Sequence, residues 1–437
     1  MNATVVGAGL AGSEAAWQLA RRGVAVELID MKPALKTAAH VSSDFAELVC
    51  SNSLKSNKVT NASGLLKEEM RRLGSLIIEC ADETSVAAGD ALAVDRDKFA
   101  ALVTARIREH LLITIKSRDV CELPSSPVII ATGPLTSDGM SSALQSLAGM
   151  TKLNFYDAAA PIVTYESIDM SRAFRQDRND KSGDIGGYIN CPLNRDEYFA
   201  FYNALVLAEV ANVHGADRDL DKDIEANLYE GCMPVEAIAR RGDRALSFGP
   251  MKPVGLVDPH TGRMPYAVAQ LRAENAQGTL YNLVGFQTRL KFPEQRRVFG
   301  MIPALAHAEF ARYGVMHRNT YVNAPDILNE HFEVRRRTML YLSGQLTGVE
   351  GYVPSAASGL VAGLDLANQI NGIERVSFPP ITAIGALCRY VTTPNRDYQP
   401  MGIQFGLLDS IYPAIKNKLA RCQALADKAL SEINRLA

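Results

Sequence analysis

No apolar run in this 437-residue chain reaches the roughly 18 residues that a bilayer-spanning helix needs, which excludes a helical membrane anchor. Excess charge is lacking as well. With 46 Lys and Arg against 48 Asp and Glu, the net charge is −2, which excludes nucleic-acid binding by bulk positive charge and leaves only a local basic face. The seven cysteines form no C-x-x-C pair, so zinc-ribbon and dithiol chemistry have no framework. Their odd number and wide scatter suit reduced thiols, and a cytoplasmic setting is expected. The opening residues run almost directly into a strand and a glycine turn, with no basic region and apolar stretch of a secretory leader. No internal repeat or low-complexity tract is present.

What is present is enough core for more than one compact unit: 47% of the residues are hydrophobic and 22% charged, as in an ordinary soluble globular protein. Residues 4–6 form a β-branched run, followed by a glycine turn and an Ala-rich helix that ends at Gly23. Residues 24–29 form a second apolar strand that stops at Asp30. This predicts one β-α-β unit. Gly7, Gly9 and Gly12 spell G-x-G-x-x-G at the strand-to-helix turn, with Ala8, Leu10 and Ala11 between them. Dinucleotide binding needs the first glycine for the turn, the second for close approach of the pyrophosphate, and the third for helix-on-sheet packing. A carboxylate at Asp30, ending the second strand, suits the adenosine ribose hydroxyls. A structural glycine turn is the plain alternative.

Farther along, residues 32–61 read as a long, polar, functional loop. Helices are expected around residues 65–74 and after Asp95, and a buried strand over residues 128–131 runs into Thr132 and Gly133. From about residue 151 the texture turns aromatic, β-branched and Gly- and Pro-broken; near residue 340 the early pattern of strand, glycine turn and small-residue helix returns. The expected class is α/β: a Rossmann-type FAD-binding domain with an inserted α+β domain. Residues 1–150 form its first segment, 151–329 the insert for substrate or RNA, and 330–437 its second segment with a C-terminal helix. FAD is preferred over NAD because residues 131–133 (ATG) and 342–348 (LSGQLTG, with Gly344 and Gln345) resemble flavin-contacting segments of the glutathione-reductase-like flavoproteins. Those proteins commonly carry Asp where this chain has Gln345, and an amide can still hydrogen-bond there. A second G-x-G-x-x-G is missing, so NADH or NADPH is expected to bind transiently.

Most cysteines in such a chain are small buried hydrophobes, and that reading covers Cys80, Cys121, Cys191, Cys388 and Cys422. Cys50 (ELVCSNSLKSN) and Cys232 (YEGCMPVEAIARRG) stand among polar residues and glycine, with Lys55 near one and Arg240 and Arg241 beyond the other. Cations near a thiol favour its ionised, reactive form.

At these two blocks, and over nearly the whole chain, the sequence resembles the folate- and FAD-dependent tRNA (uracil-54) C5-methyltransferases, the TrmFO family. VVGAGLAGSEAAWQLA, FAELVCSNSLKSN, EGCMPVEAIARRG, FGPMKPVGL, LYNLVGFQT, GQLTGVEGYVPSAASGLVAG and QPMGIQFGLL carry the resemblance. It implies transfer of the methylene carbon of 5,10-methylenetetrahydrofolate to carbon 5 of uracil-54 in tRNA, with NAD(P)H reducing the flavin. Thiol chemistry fits that task. A thiolate added to carbon 6 turns the ring into a carbon nucleophile, and a second thiolate or another base removes the carbon-5 proton. By similarity Cys50 is favoured as nucleophile and Cys232 as base, an order that spacing alone does not fix. Arg289 stands where the family pattern has a folate-holding histidine. A guanidinium can stack on a pterin, and membership of a solvated basic strip is the plain reading.

If RNA is the substrate, cations must gather locally: Arg240, Arg241 and Arg244; Arg289, Lys291, Arg296 and Arg297; residues 335–337. Tyr188, Tyr266, Tyr281 and Tyr313 are candidate base-stacking rings or core aromatics. Two other functions stay in view: the same chemistry on ribosomal RNA, and an FAD-dependent oxidoreductase acting on a small molecule with both cysteines idle.

Overall fold

The computed structural model describes residues 2–37, 40–148, 153–158, 160–178, 187–211, 233–275, 277–314, 316–395, 398 and 400–436. Cys232 lies outside the described residues. The first strand, Asn2–Val6, is flanked in register by Ala25–Asp30 on one side and Val128–Ile130 on the other; Ile113–Ser117 and Leu340–Leu342 complete a five-stranded, wholly parallel sheet. Parallel strands are covered on both faces, and these read accordingly: Val5, Leu28, Ile129 and Tyr341 are all fully buried.

The first helix, Leu10–Arg21, packs lengthwise on Tyr352–Asn371. The approach is close because Gly359 and Gly363 face it. A Cβ on Gly359 would stand 2.1 Å from the Ala11 carbonyl oxygen, and one on Gly363 2.6 Å from that of Ala15. The small-residue texture of residues 352–371 therefore encodes a helix–helix contact as well as a helix.

Two helix starts are capped from a distance by buried carboxylates, which satisfy backbone N–H groups left over in the first turn. Glu14 accepts from Ser75 Oγ (2.7 Å) and Ile77 N (3.0 Å) at the start of Leu76–Glu83. Glu69 accepts from Ala383 N (2.7 Å) and Ile384 N (2.9 Å) at the start of Ala383–Thr392. The expected cap at Asp95 is present, its carboxylate accepting from Lys98 N. The expected C-terminal helix runs Lys418–Leu436, with Leu425, Ala429 and Ile433 turned inward.

A second core spans Val163 to Leu305. It is organised by an antiparallel sheet in the order Phe174–Arg175, Tyr188–Leu193, Ala267–Ala273, Leu280–Leu283, Ile162–Thr164, Phe310–Arg312. The chain enters and leaves this region through an antiparallel ribbon, Leu153–Ala158 against Met316–Tyr321. The long polar loop after Asp30 is less irregular than its composition suggested. Its end, Ser53–Ser56, pairs with Ala91–Val94 in a small three-stranded sheet.

Candidate active site

A cleft opens at the carboxyl ends of the parallel strands, where doubly wound sheets bind ligands. Its walls include Gly7, Gly9, Leu10, Ala11, Asp30, Thr132, Gly133, Gly344 and Gln345, so residues from four separate sequence segments meet in one place. It holds about 1120 Å³ of space, its open mouth included. The three motif glycines divide their work as the dinucleotide chemistry requires. Gly7 has φ +98°, which suits glycine at the turn, and a Cβ on Gly12 would sit 1.7 Å from the Gly7 carbonyl oxygen. A Cβ on Gly9 would meet nothing within 4 Å: that backbone faces the cleft and is bare where a pyrophosphate must approach. These residues fit FAD.

Asp30 is fixed by its own neighbours. Ala8 N donates to one carboxylate oxygen (2.6 Å) and Lys32 N to the other (2.8 Å), which aims the group at the cleft with lone pairs to spare. The Gln345 amide nitrogen donates to Glu350 (2.7 Å), and Gly344 N donates to Ser358 Oγ (2.7 Å).

Several cleft residues had no sequence signal. Lys32, Thr37, His40 and Glu47 line the cleft from the loop after Asp30, and Arg118 and Asp119 from just beyond the strand Ile113–Ser117. Lys32 is buried, donates to the Asp44 carbonyl and lies 3.8 Å from Glu47. Burial pushes its ammonium below the ordinary range, opposed by Asp30 and Glu47. The only hint was the length of a polar loop.

Cys50 is half-buried and is not itself among the residues that line the cleft. Its neighbour Val49 lines the cleft, as does Tyr352. The Tyr352 hydroxyl accepts from the backbone N–H of Cys50 (2.7 Å) and of Ser51 (3.0 Å). Burial, and then the adjacent Cys50 thiol, push that phenol above its usual range, so it stays protonated. Among the other thiols, Cys80, Cys191, Cys388 and Cys422 are buried as expected. Burial pushes Cys80 and Cys191 up to about 12, which leaves them as inert thiols. Cys121 corrects the sequence reading. It is exposed, because the strand-like residues around it form a connection outside the sheet, and Asp119 raises its pKa through a 3.5 Å contact.

The insert candidates separate by environment. Arg289 is buried, contrary to the solvated-strip reading. Its N–H donates to Glu236 (2.8 Å) and its carbonyl accepts from Ala211 N (2.7 Å), so its backbone ties the residues on either side of segment 212–232. Neither it nor Lys291 lines the cleft. Lys291 pairs with Glu209 (2.6 Å) in solvent, and Arg240 and Arg241 are exposed. Tyr281 is core, with Arg175 donating to its hydroxyl (2.9 Å), and Tyr266 packs on Tyr198. Only Tyr313 joins a surface ladder, stacked between Phe310 (5.2 Å) and Phe292 (4.7 Å).

The family described as Glucose inhibited division protein A matches residues 2–374. A protein of Heliobacterium modesticaldum described as "Methylenetetrahydrofolate--tRNA-(uracil-5-)-methyltransferase TrmFO" is 54% identical over 437 residues, covering 100% of this chain and 98% of its own. Proteins of the same description from Listeria monocytogenes (52%, covering 99% and 98%) and Acetivibrio thermocellus (53%, covering 98% and 96%) are similar throughout. Among solved structures, Aquifex aeolicus GidA superposes with a TM-score of 0.68 at 16% identity, covering 100% of this chain and 75% of that one, which speaks to the fold alone.

Proposed function

The chain belongs to the TrmFO family, and from that membership we propose that it transfers the one-carbon unit of 5,10-methylenetetrahydrofolate to carbon 5 of uracil-54 in the T-loop of tRNA, with FAD reduced by NADH or NADPH. The observation that carries the reading is the seating of Cys50: its backbone and that of Ser51 hang on the hydroxyl of Tyr352, a wall residue of the dinucleotide cleft. In this reading the Cys50 thiol acts next to the bound cofactor, and a uracil brought against the flavin meets both.

In this reading Cys50 adds to carbon 6 of the base. The addition places charge on the ring oxygen and makes carbon 5 nucleophilic. Carbon 5 attacks the folate methylene, Cys232 takes the carbon-5 proton as the folate amine leaves, and the Cys50 sulfur is expelled from carbon 6 when the methylene is reduced. FAD, when bound, supplies the reducing equivalents that complete the methyl group. Gly9 and Asp30 hold the pyrophosphate and adenosine ribose, Thr132, Gly133, Gly344 and Gln345 the rest of the flavin nucleotide. The region 151–329 presents the RNA, with Arg240 and Arg241 meeting phosphates, and the Arg289 backbone joins Ala211 and Glu236.

The test is direct. Purified yellow protein is mixed with unmodified tRNA transcript, NADPH and methylenetetrahydrofolate, and the RNA is digested. The reading predicts one 5-methyluridine per tRNA, at position 54. Its absence from tRNA, or its appearance only in a ribosomal RNA substrate, contradicts it.

A further inference from the structure

Phe292 is the first residue of the helix Phe292–Phe299, and 51% of its surface is open to solvent. One face of its ring is taken. It stacks on Tyr313 with ring centres 4.7 Å apart and planes 15° from parallel, and Tyr313 stacks in turn on Phe310 at 5.2 Å and 10°. Phe310 lies on the edge strand of the antiparallel sheet and meets the second core at Phe299 (6.5 Å). The three rings thus form a ladder rooted in a core at one end and open at the other. Arg296 lies one helical turn on from Phe292, and its Nη2 donates to the Tyr313 hydroxyl (3.0 Å), which fixes the middle ring. Lys291 and Arg297 are each matched by a carboxylate, Glu209 (2.6 Å) and Glu294 (2.6 Å). The Arg296 cation is spent on a neutral hydroxyl, so its charge is left to meet an anion. The residues just before Phe292 also hold both flanks of segment 212–232: Val210 bridges to Leu290, Ala211 N donates to the Arg289 carbonyl (2.7 Å) and Val235 N to the Gln287 carbonyl (2.7 Å).

We propose that Phe292 is a stacking platform for an unpaired base of the RNA substrate, the base adding a fourth ring to the ladder while Arg296 meets a phosphate beside it. The inference rests on the tRNA reading and names a contact that reading lacks. Tyr313, one of the tyrosines the sequence offered for stacking, has a ring on either face and none to give; Phe292 has one. A ring fixed before binding loses little freedom when a base lands on it. Every base has a flat face, so the contact holds a loop without reading its sequence. A protein partner fits less well, because interfaces between proteins deplete charge at their core, whereas Phe292 is surrounded by the exposed cations Lys291, Arg296 and Arg297, which suit a polyanion.

The test measures tRNA binding over a series of salt concentrations, using the flavin-loaded, full-length enzyme and the variants Phe292→Ala, Phe292→Leu, Phe292→Trp and Arg296→Ala. Phe292→Ala is expected to weaken binding about tenfold or more. Its slope of log affinity against log salt stays that of the wild type, because the lost contact carries no charge. Phe292→Leu keeps most of the apolar area and is expected to bind as weakly as the alanine variant. Phe292→Trp retains the wild-type affinity, and its added indole, in a chain whose one natural tryptophan is Trp17, is quenched when tRNA binds. Arg296→Ala lowers the slope by about 1. Full affinity in Phe292→Ala, wild-type affinity in Phe292→Leu, or an unquenched indole in the bound complex overturns the platform, and an unaltered slope in Arg296→Ala overturns its charged rim. A fall in sedimentation mass in Phe292→Ala with RNA affinity kept also overturns it, and marks the ring as a contact between copies of the chain. Wild-type enzyme that neither binds tRNA nor forms 5-methyluridine in it sinks the tRNA reading, whereas tRNA methylated by the wild type and bound in full by Phe292→Ala overturns the platform alone.

Discussion

Lys67 shows how single residues prepare the reactive segment. It is fully buried, and its ammonium donates to the carbonyls of Leu54 (2.8 Å), Ser56 (2.7 Å) and Ser63 (3.1 Å). It thereby anchors the strand that leaves the Cys50 loop. Burial pushes its pKa down to about 7, against about 10.4 in an unfolded chain. Between those values the unfolded state binds the extra proton, so this residue adds stability as pH rises from 7 toward 10 and loses it as pH falls through 7. Lys67→Met strips two strand carbonyls of their donor, costing about 1–3 kcal/mol each. Urea unfolding should show the gap between wild type and variant widening from pH 7 to 9.5; a constant gap contradicts the assignment.

At the same scale, the sequence made the nucleotide motif legible because it is local. Gly7, Gly9, Gly12 and Asp30 lie within one β-α-β unit, where spacing alone sets geometry. The rest of the cleft was illegible for the opposite reason. Lys32 and Glu47 reach the cleft through an irregular loop, and Arg272 meets Asn52 across 220 positions and Arg312 meets Val49 across 263, so no local pattern couples them. For Arg289 the plain reading took charge for exposure, whereas its buried backbone is tied to Glu236 and Ala211.

At the scale of elements, the cleft depends on the crossing of the first helix and Tyr352–Asn371. One of these begins at the pyrophosphate turn and the other carries Tyr352 at its first residue, so the spacing between them sets the distance from nucleotide to thiol. Gly359→Leu drives a side chain into the Ala11 backbone, and overpacking of this kind costs about 1–3 kcal/mol or more. A fall in Tm of about 5 °C or more is expected, with a lower flavin content in the purified protein, read from the ratio of visible to ultraviolet absorbance. Unchanged Tm and flavin content would show that the helices can part without consequence. The helices themselves were visible as patterns in the sequence; their tight crossing was visible only as an unexplained surplus of glycine and alanine.

At the scale of the whole molecule, a near-neutral chain has to bind an RNA through a local face. The Arg240→Ala, Arg241→Ala double variant is expected to raise KM for tRNA about tenfold and to reduce the slope of log affinity against log salt by about 2, with kcat at saturating tRNA unchanged. Filter binding between 50 and 200 mM salt measures it, and an unaltered slope removes those arginines from the RNA face. The antiparallel sheet of the second core also reaches the loop that carries Cys50, through Arg272 and Arg312. None of the described helices is long and apolar enough to cross a membrane, in line with the absence of any long apolar run in the sequence.

The central claim is that the sulfur of Cys50 attacks the target base. A tRNA carrying 5-fluorouridine at position 54 tests it most directly. Fluorine replaces the proton that must leave carbon 5, so the chemistry stops after the thiol has added to carbon 6 and the methylene has been transferred. With methylenetetrahydrofolate and reduced flavin present, the account predicts a denaturant-resistant complex whose proteolysis yields the Cys50 peptide bearing the nucleotide. A complex joined through Cys232, or no covalent complex at all, would contradict it.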